Sequence, residues 1–330
     1  MSRLYNPITK ALLASAMLLP FGAHAATVLK MAYADNSQPV KDALQYIGDA
    51  VAKKTNGEVT IQYFPDSQLG GERELVEMTQ VGAIDMTKVS SGLLESFSPL
   101  YGVFSLPYLF ENQESFYRVM DNKEIMKTVY QSTEAQGFAG VGWYDSGARS
   151  FYMSKGPVKT LADLKGKKIR VMQSETSIET MKLLGASPIA MSQAEVYTSL
   201  QQGILDGAEN NEFAITIARH GEVAKFYSYD MHTRIPDVVI MSNVTKSKLT
   251  PEQLTALQEA IDESIELEKK LWKEEMAKTR ELAQKEFGVQ FFEIDQAPFK
   301  AAVQPIYEKL KGKPQVYALY EQINKVEQAK

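Results

Sequence analysis

The feature that most restricts what this chain can fold into is a strand–helix–strand rhythm that runs through its first third and then begins again. Val28 to Tyr33 reads as a strand, and Asp35-Asn36-Ser37 as a turn and helix cap. From about Val40 to Lys54, Ala43, Ile47 and Val51 recur every four residues, the spacing of one helix face, until Asn56-Gly57 breaks the run. Val59 to Phe64 alternates as a second strand, residues 71–82 read as a helix, and Ala83 to Thr87 as a third strand. Helices between strands supply the long crossovers that parallel pairing needs, so this order predicts an open, largely parallel α/β sheet. After residue 150 the pattern returns without sequence repetition. Lys168 to Met172 forms a short strand behind a Lys165-Gly166 turn, Ser177 to Leu184 and Ala194 to Gln202 are helical, and Ile204 to Ala208 leads into another strand. Two α/β lobes are the natural outcome in a chain longer than one typical domain.

The C-terminal third reads differently. Thr250-Pro251-Glu252-Gln253 combines an N-cap, a proline at the first helical position and a glutamine that closes a capping box. Helical spacing then persists to about Phe287, where Gly288 stops it. Such a helix is about 55 Å long. Its apolar stripe is not a strict heptad, and Lys269, Lys270, Lys273 and Glu274 crowd its middle. It therefore reads as a helix running across both lobes rather than as a coiled-coil dimer seam, and a monomer is expected. The expected division is residues 26–147 with about 236–275 in one lobe, and 148–235 with about 276–330 in the other.

Residues 1–25 stand apart. Arg3 and Lys10 precede an apolar run from Ala11 to Leu19, Pro20 and Gly22 break it, and Ala23-His24-Ala25 supplies a small-x-small cleavage pattern. This reads as an export signal, because the run is far shorter than the roughly 20 apolar residues a membrane span needs. Its removal takes two basic residues from 36 Lys+Arg against 41 Asp+Glu, leaving 34 against 41 and a net charge of −7. That balance argues against nucleic acid or an acidic membrane surface as partner. The chain has no cysteine, so the exported protein must be held by its core alone.

The motifs of common catalysts are missing: the sequence contains no HExxH, no GxSxG and no Walker-type glycine loop. Gly140-Val141-Gly142 lacks the third glycine of a phosphate cradle. His220, beside Arg219, reads as a solvent-facing or capping residue at a polar helix end, and His232, near Arg234 and Asp237, as structural. Two histidines beyond the export signal, without cysteine, are a thin basis for zinc, and no metal or other cofactor is expected. Arg149 stands between small and aromatic residues, and Arg170 alternates with Ile169 and Val171. Both could be ordinary surface arginines, but an arginine flanked by apolar strand residues is well placed for bidentate carboxylate binding. Asn210-Asn211 after a strand is either a turn or a source of amide donors and acceptors for a polyhydroxylated ligand.

Longer runs are more specific. Gly147-Ala148-Arg149, then Leu161-Ala162-Asp163-Leu164-Lys165-Gly166-Lys167-Lys168-Ile169-Arg170-Val171, resembles the solute-binding proteins of TRAP transporters (tripartite ATP-independent periplasmic transporters). So do Leu184 to Pro188, Glu195 to Asn210, Ser67 to Glu72 and Leu106 to Phe110, all in family order. The resemblance implies a periplasmic, non-enzymatic binding protein with two α/β domains closing about a hinge on a small carboxylate, which is passed to membrane permease subunits. It implies that Arg170 pairs with the ligand carboxylate, that Arg149 is a second basic contact and that Asn210 is a polar one. Many members carry proline after that asparagine; Asn211 here becomes a further candidate contact. Glu72 stands where sugar-acid-binding members carry acidic residues, and a carboxylate there would repel a simple dicarboxylate. The expected ligand is thus a sugar acid, with hexuronates such as glucuronate or galacturonate first, and a C4-dicarboxylate or keto acid second. Two other classes stay open: a periplasmic ligand sensor, and an exported carbohydrate-active enzyme using Glu72 and Glu209 as acid and base.

Overall fold

The computed structural model describes residues 26–34 and 37–328. The expected export signal at 1–25 and the Asp35-Asn36 part of the first turn lie outside the described residues. In chain order the strands are β1 (Thr27–Tyr33), β2 (Val59–Phe64), β3 (Met86–Ser90), β4 (Phe138–Tyr144), β5 (Arg149–Met153), β6 (Lys168–Val171), β7 (Ser187–Ala190), β8 (Gly207–Asn210), β9 (Phe226–Thr233), β10 (Asp237–Ser242) and β11 (Gln290–Glu293). They form two sheets, of order β2-β1-β3-β10-β4 and β11-β9-β5-β8-β6-β7. β1 pairs in parallel with β2 and β3, as expected from the helices Gln38–Lys54 and Glu72–Gln80 between them. The third strand starts at Met86 rather than Ala83. Gly82, at φ +71°, keeps the preceding residues in a turn, and the Asp85 carboxylate accepts bonds from the Lys30 amide and the Thr245 hydroxyl.

Each sheet also holds a strand that adjacency in sequence does not suggest. β10 lies antiparallel between β3 and β4, and β5 lies antiparallel between β8 and β9. The chain therefore passes from the first sheet to the second between Tyr144 and Arg149, and returns between Thr233 and Asp237. These two short crossovers, side by side, make a hinge-like waist.

The third connection is the helix Pro251–Phe287. Thr250 and Gln253 cap it reciprocally, each side chain accepting the other's backbone N–H, and Gly288 ends it at φ +65°. Its first half puts Leu257, Ala260 and Ile261 into the core of the first sheet, and Ala283 near its end joins Tyr152, Tyr227 and Val289 over the second. Close approach explains the glycines of Gly140-Val141-Gly142. A side chain at Gly140 would run into the Tyr130 ring, and one at Gly142 into Ile261 of the long helix. The second sheet is covered on both faces: Phe151, Ile169 and Val171 point into one core, Tyr152 and Ala208 into the other. Val316, Leu319 and Ile323 of the closing helix Pro314–Gln328 pack into the core of the first sheet, not against the second.

Candidate functional site

A cleft of about 530 Å³ lies between the two sheets at the waist. Glu72, Arg149, Arg170, Asn210 and Asn211, picked out in the sequence, all line it. Glu72 comes from the first lobe, at the start of the helix Glu72–Gln80, and its Oε1 accepts the Ser90 backbone N–H at 3.0 Å. The other four come from the second.

Arg170 owes its place to the two-residue period of β6. Ile169 and Val171 enter the core on one face, which turns Arg170 to the other, in register with Ala208 of β8 and Ile189 of β7. The side chain is only 3 % exposed. Its Nε and Nη2 donate to the Met191 carbonyl at 3.0 and 2.8 Å, and Nη1 donates to Gln193 Oε1 at 2.9 Å. These three bonds leave one N–H on each terminal nitrogen. Among the described residues no carboxylate stands within ion-pairing distance of it. Burial, helped by the positive charge of Arg149, pulls its pKa down, and Tyr152, Glu209 and Glu72 only partly offset this.

Arg149 is arranged in the opposite way. Its Nε donates to Glu209 Oε2 at 2.6 Å, its Nη2 to Glu209 Oε1 at 2.9 Å and to the Glu209 carbonyl at 2.8 Å, and its Nη1 to Asn210 Oδ1 at 2.7 Å. Glu209 in turn lies 3.4 Å from His232 Nε2, whose Nδ1 is 2.8 Å from Asp230 Oδ2. Burial alone would raise the Glu209 carboxyl, but Arg149 and His232 outweigh it and hold it at about 2. Burial would likewise lower His232, but Asp230 and Glu209 lift it to about 9. Arg149 thus faces the cleft with its charge already matched. It fixes Asn210, whose Oδ1 also accepts the Asn211 backbone N–H, so the amide hydrogens of Asn210 are the part left to a ligand. Asn211 is tied into the waist: its Nδ2 donates to the Ser146 carbonyl and its Oδ1 accepts from the Phe213 N–H.

Two sequence readings change here. Glu209 is 2 % exposed and bound to Arg149, so it does not form an acid–base pair with Glu72 across the cleft. His220 is not a solvent-facing cap: it is 2 % exposed, its Nδ1 lies 2.8 Å from the Tyr152 hydroxyl, and burial brings it down to about 4. Cleft residues that the sequence did not single out include Lys88 and Asp237, paired at 2.7 Å, and Trp272 of the long helix, packed edge-on against Phe213. A buried lysine and aspartate 149 positions apart carry no local signal.

The comparisons agree with this architecture. The family model for DctP, the bacterial extracellular solute-binding proteins of family 7, matches residues 31–313. The chain is 68 % identical over 316 residues to the uncharacterized protein YiiZ of Salmonella typhimurium, across 96 % of this chain and 97 % of that one. A TRAP periplasmic solute-binding protein from Anaerococcus prevotii, solved with bound α/β D-glucuronate, superposes with a TM-score of 0.88 at 40 % identity, covering 91 % of this chain and 98 % of its own. Another, from Xanthobacter autotrophicus with bound β-D-galacturonate, gives 0.86 at 37 % identity, covering 92 % and 100 %. With two α/β lobes, a spanning helix, a polar cleft at the waist and a family match over most of its length, the chain belongs to the DctP family of TRAP-transporter solute-binding proteins, which bind substrates rather than transform them.

Proposed function

We propose that this protein captures a hexuronate in the periplasm by closing its two lobes and delivers it to the membrane permease subunits of a TRAP transporter. The observation that carries the reading is Arg170: a buried guanidinium, held from behind by Met191 and Gln193, with an open N–H on each terminal nitrogen and no carboxylate partner among the described residues. A desolvated cation is costly until an anion arrives, and one carboxylate accepts both open donors at once. Arg149 acts through Asn210, which it orients to donate to a ring hydroxyl, while Asn211 stiffens the turn. Glu72 accepts hydroxyl hydrogens from the opposite wall and disfavours a second carboxylate in the ligand. The uronates held by the superposed Anaerococcus and Xanthobacter proteins support this class.

The moving bodies are residues 26–147 with about 236–275, and 148–235 with the chain from about 276 onward except Pro314–Gln328. Pro314–Gln328 rides on the first lobe, where its apolar side packs. Closure removes water from the Arg170–carboxylate pair, strengthening it. A thermal-shift screen over sugar acids, C4-dicarboxylates and keto acids tests the class, because a tight ligand raises Tm by mass action. The largest rise is expected with a hexuronate; a larger rise with succinate overturns the sugar-acid reading.

A further inference from the structure

Behind the waist, a second cavity of about 200 Å³ shares one wall, Trp272, with the cleft. It is lined from every part of the molecule that closure must move. Gln113 comes from the first lobe, Tyr229 and Glu212 from the second, Gly147 and Arg234 from the two crossovers, and Trp272 and Lys273 from the spanning helix. Arg234 is half-buried, and it makes no hydrogen bond or ion pair among the described residues; neither does the exposed Lys273. Asp145 and Glu212 act on Arg234 electrostatically without a direct ion pair, and both cations face one small cavity. Among the described residues Glu212 is the one carboxylate in the lining. Burial raises its pKa, against the lowering effects of the Tyr229 hydroxyl and of Arg234 and Arg280. The volume is below the roughly 300–1,000 Å³ of pockets for drug-sized ligands, which suits a small ion.

We propose that this rear cavity is a second binding site, for a small oxyanion (a short carboxylate or inorganic phosphate) held by Arg234 and Lys273. Because it touches both crossovers, its occupant biases the equilibrium between arrangements of the lobes and so couples to solute binding; the linkage is reciprocal. Inorganic phosphate and acetate are titrated at constant ionic strength into wild type, Arg234→Gln, Lys273→Gln and Arg170→Ala, following tryptophan fluorescence and Tm. Saturable binding of at least one of the two is expected in wild type. It should persist in Arg170→Ala, which separates it from the cleft, weaken about tenfold in Arg234→Gln and weaken less in Lys273→Gln. Glucuronate affinity should change about threefold at saturating anion in wild type only. Lys273→Gln changes an exposed side chain and keeps the test meaningful if Arg234→Gln misfolds. A linear, unsaturable response in wild type, binding lost in Arg170→Ala, anion affinity unaltered in both rear-cavity variants, or unchanged glucuronate affinity overturns the proposal.

Discussion

Arg149 and Arg170 are both arginines, both about equally buried and both on the cleft wall, yet their bonding assigns them different consequences. Arg170→Ala removes a cation whose partner is the ligand, so uronate affinity should fall by about 2–5 kcal/mol while the ligand-free Tm holds. Arg170→Lys should also bind poorly, since a point charge cannot present two parallel donors. Arg149→Ala instead leaves Glu209 buried without its guanidinium, and the fold itself should lose about 3–5 kcal/mol in denaturant unfolding. If the two variants behave alike, the distinction drawn between a paired and a waiting arginine is wrong. Glu72→Gln should weaken uronate binding by about 1.5–3 kcal/mol per lost charge-assisted bond and leave succinate binding unchanged or better. Alternation with Ile169 and Val171 drew attention to Arg170 in the sequence but left an ordinary surface arginine open; the family resemblance singled it out. The Arg149–Glu209 pairing was not legible, because 60 residues separate partners that only the β5–β8 register brings together.

At the scale of elements, the long helix was readable to the residue at its start, since Thr250, Pro251 and Gln253 make local, reciprocal bonds. The insertion of β10 between β3 and β4 was not readable, because strand order in a sheet is a tertiary choice that periodicity does not encode. The same limit hid the network linking β5, β8 and β9. His232 there is held at about 9 against an ordinary 6.5, because Asp230 and Glu209 outweigh the effect of burial. A raised folded-state value means the stabilisation is complete below pH 6.5 and is lost as pH rises through 9. Chemical denaturation of wild type should therefore show stability falling over that window. Glu268, whose carboxyl burial raises well above its ordinary value, contributes a slope of the same sign that sets in above the ordinary carboxylate range. His232→Asn should remove part of the alkaline slope; an unchanged slope in His232→Asn contradicts the charged His232 assigned to this network.

For the whole molecule, the two-lobed plan followed from a rhythm repeated twice, while the placement of the closing helix on the first lobe did not, since an amphipathic helix fits either surface. That helix, the long helix and the two crossovers leave a waist at which the lobes can bend, with the cleft on one side and Arg234 on the other. Everything proposed for the front of the waist depends on one charge pair completed by the ligand. Isothermal titration calorimetry of wild type and Arg170→Ala with glucuronate and galacturonate, with succinate as control, tests it most directly. Saturable one-to-one uronate binding to wild type, weaker by at least about thirtyfold in a folded Arg170→Ala, with succinate weak in both, is the predicted result. Near-equal uronate affinity in the two proteins, or preference of wild type for succinate, would contradict it.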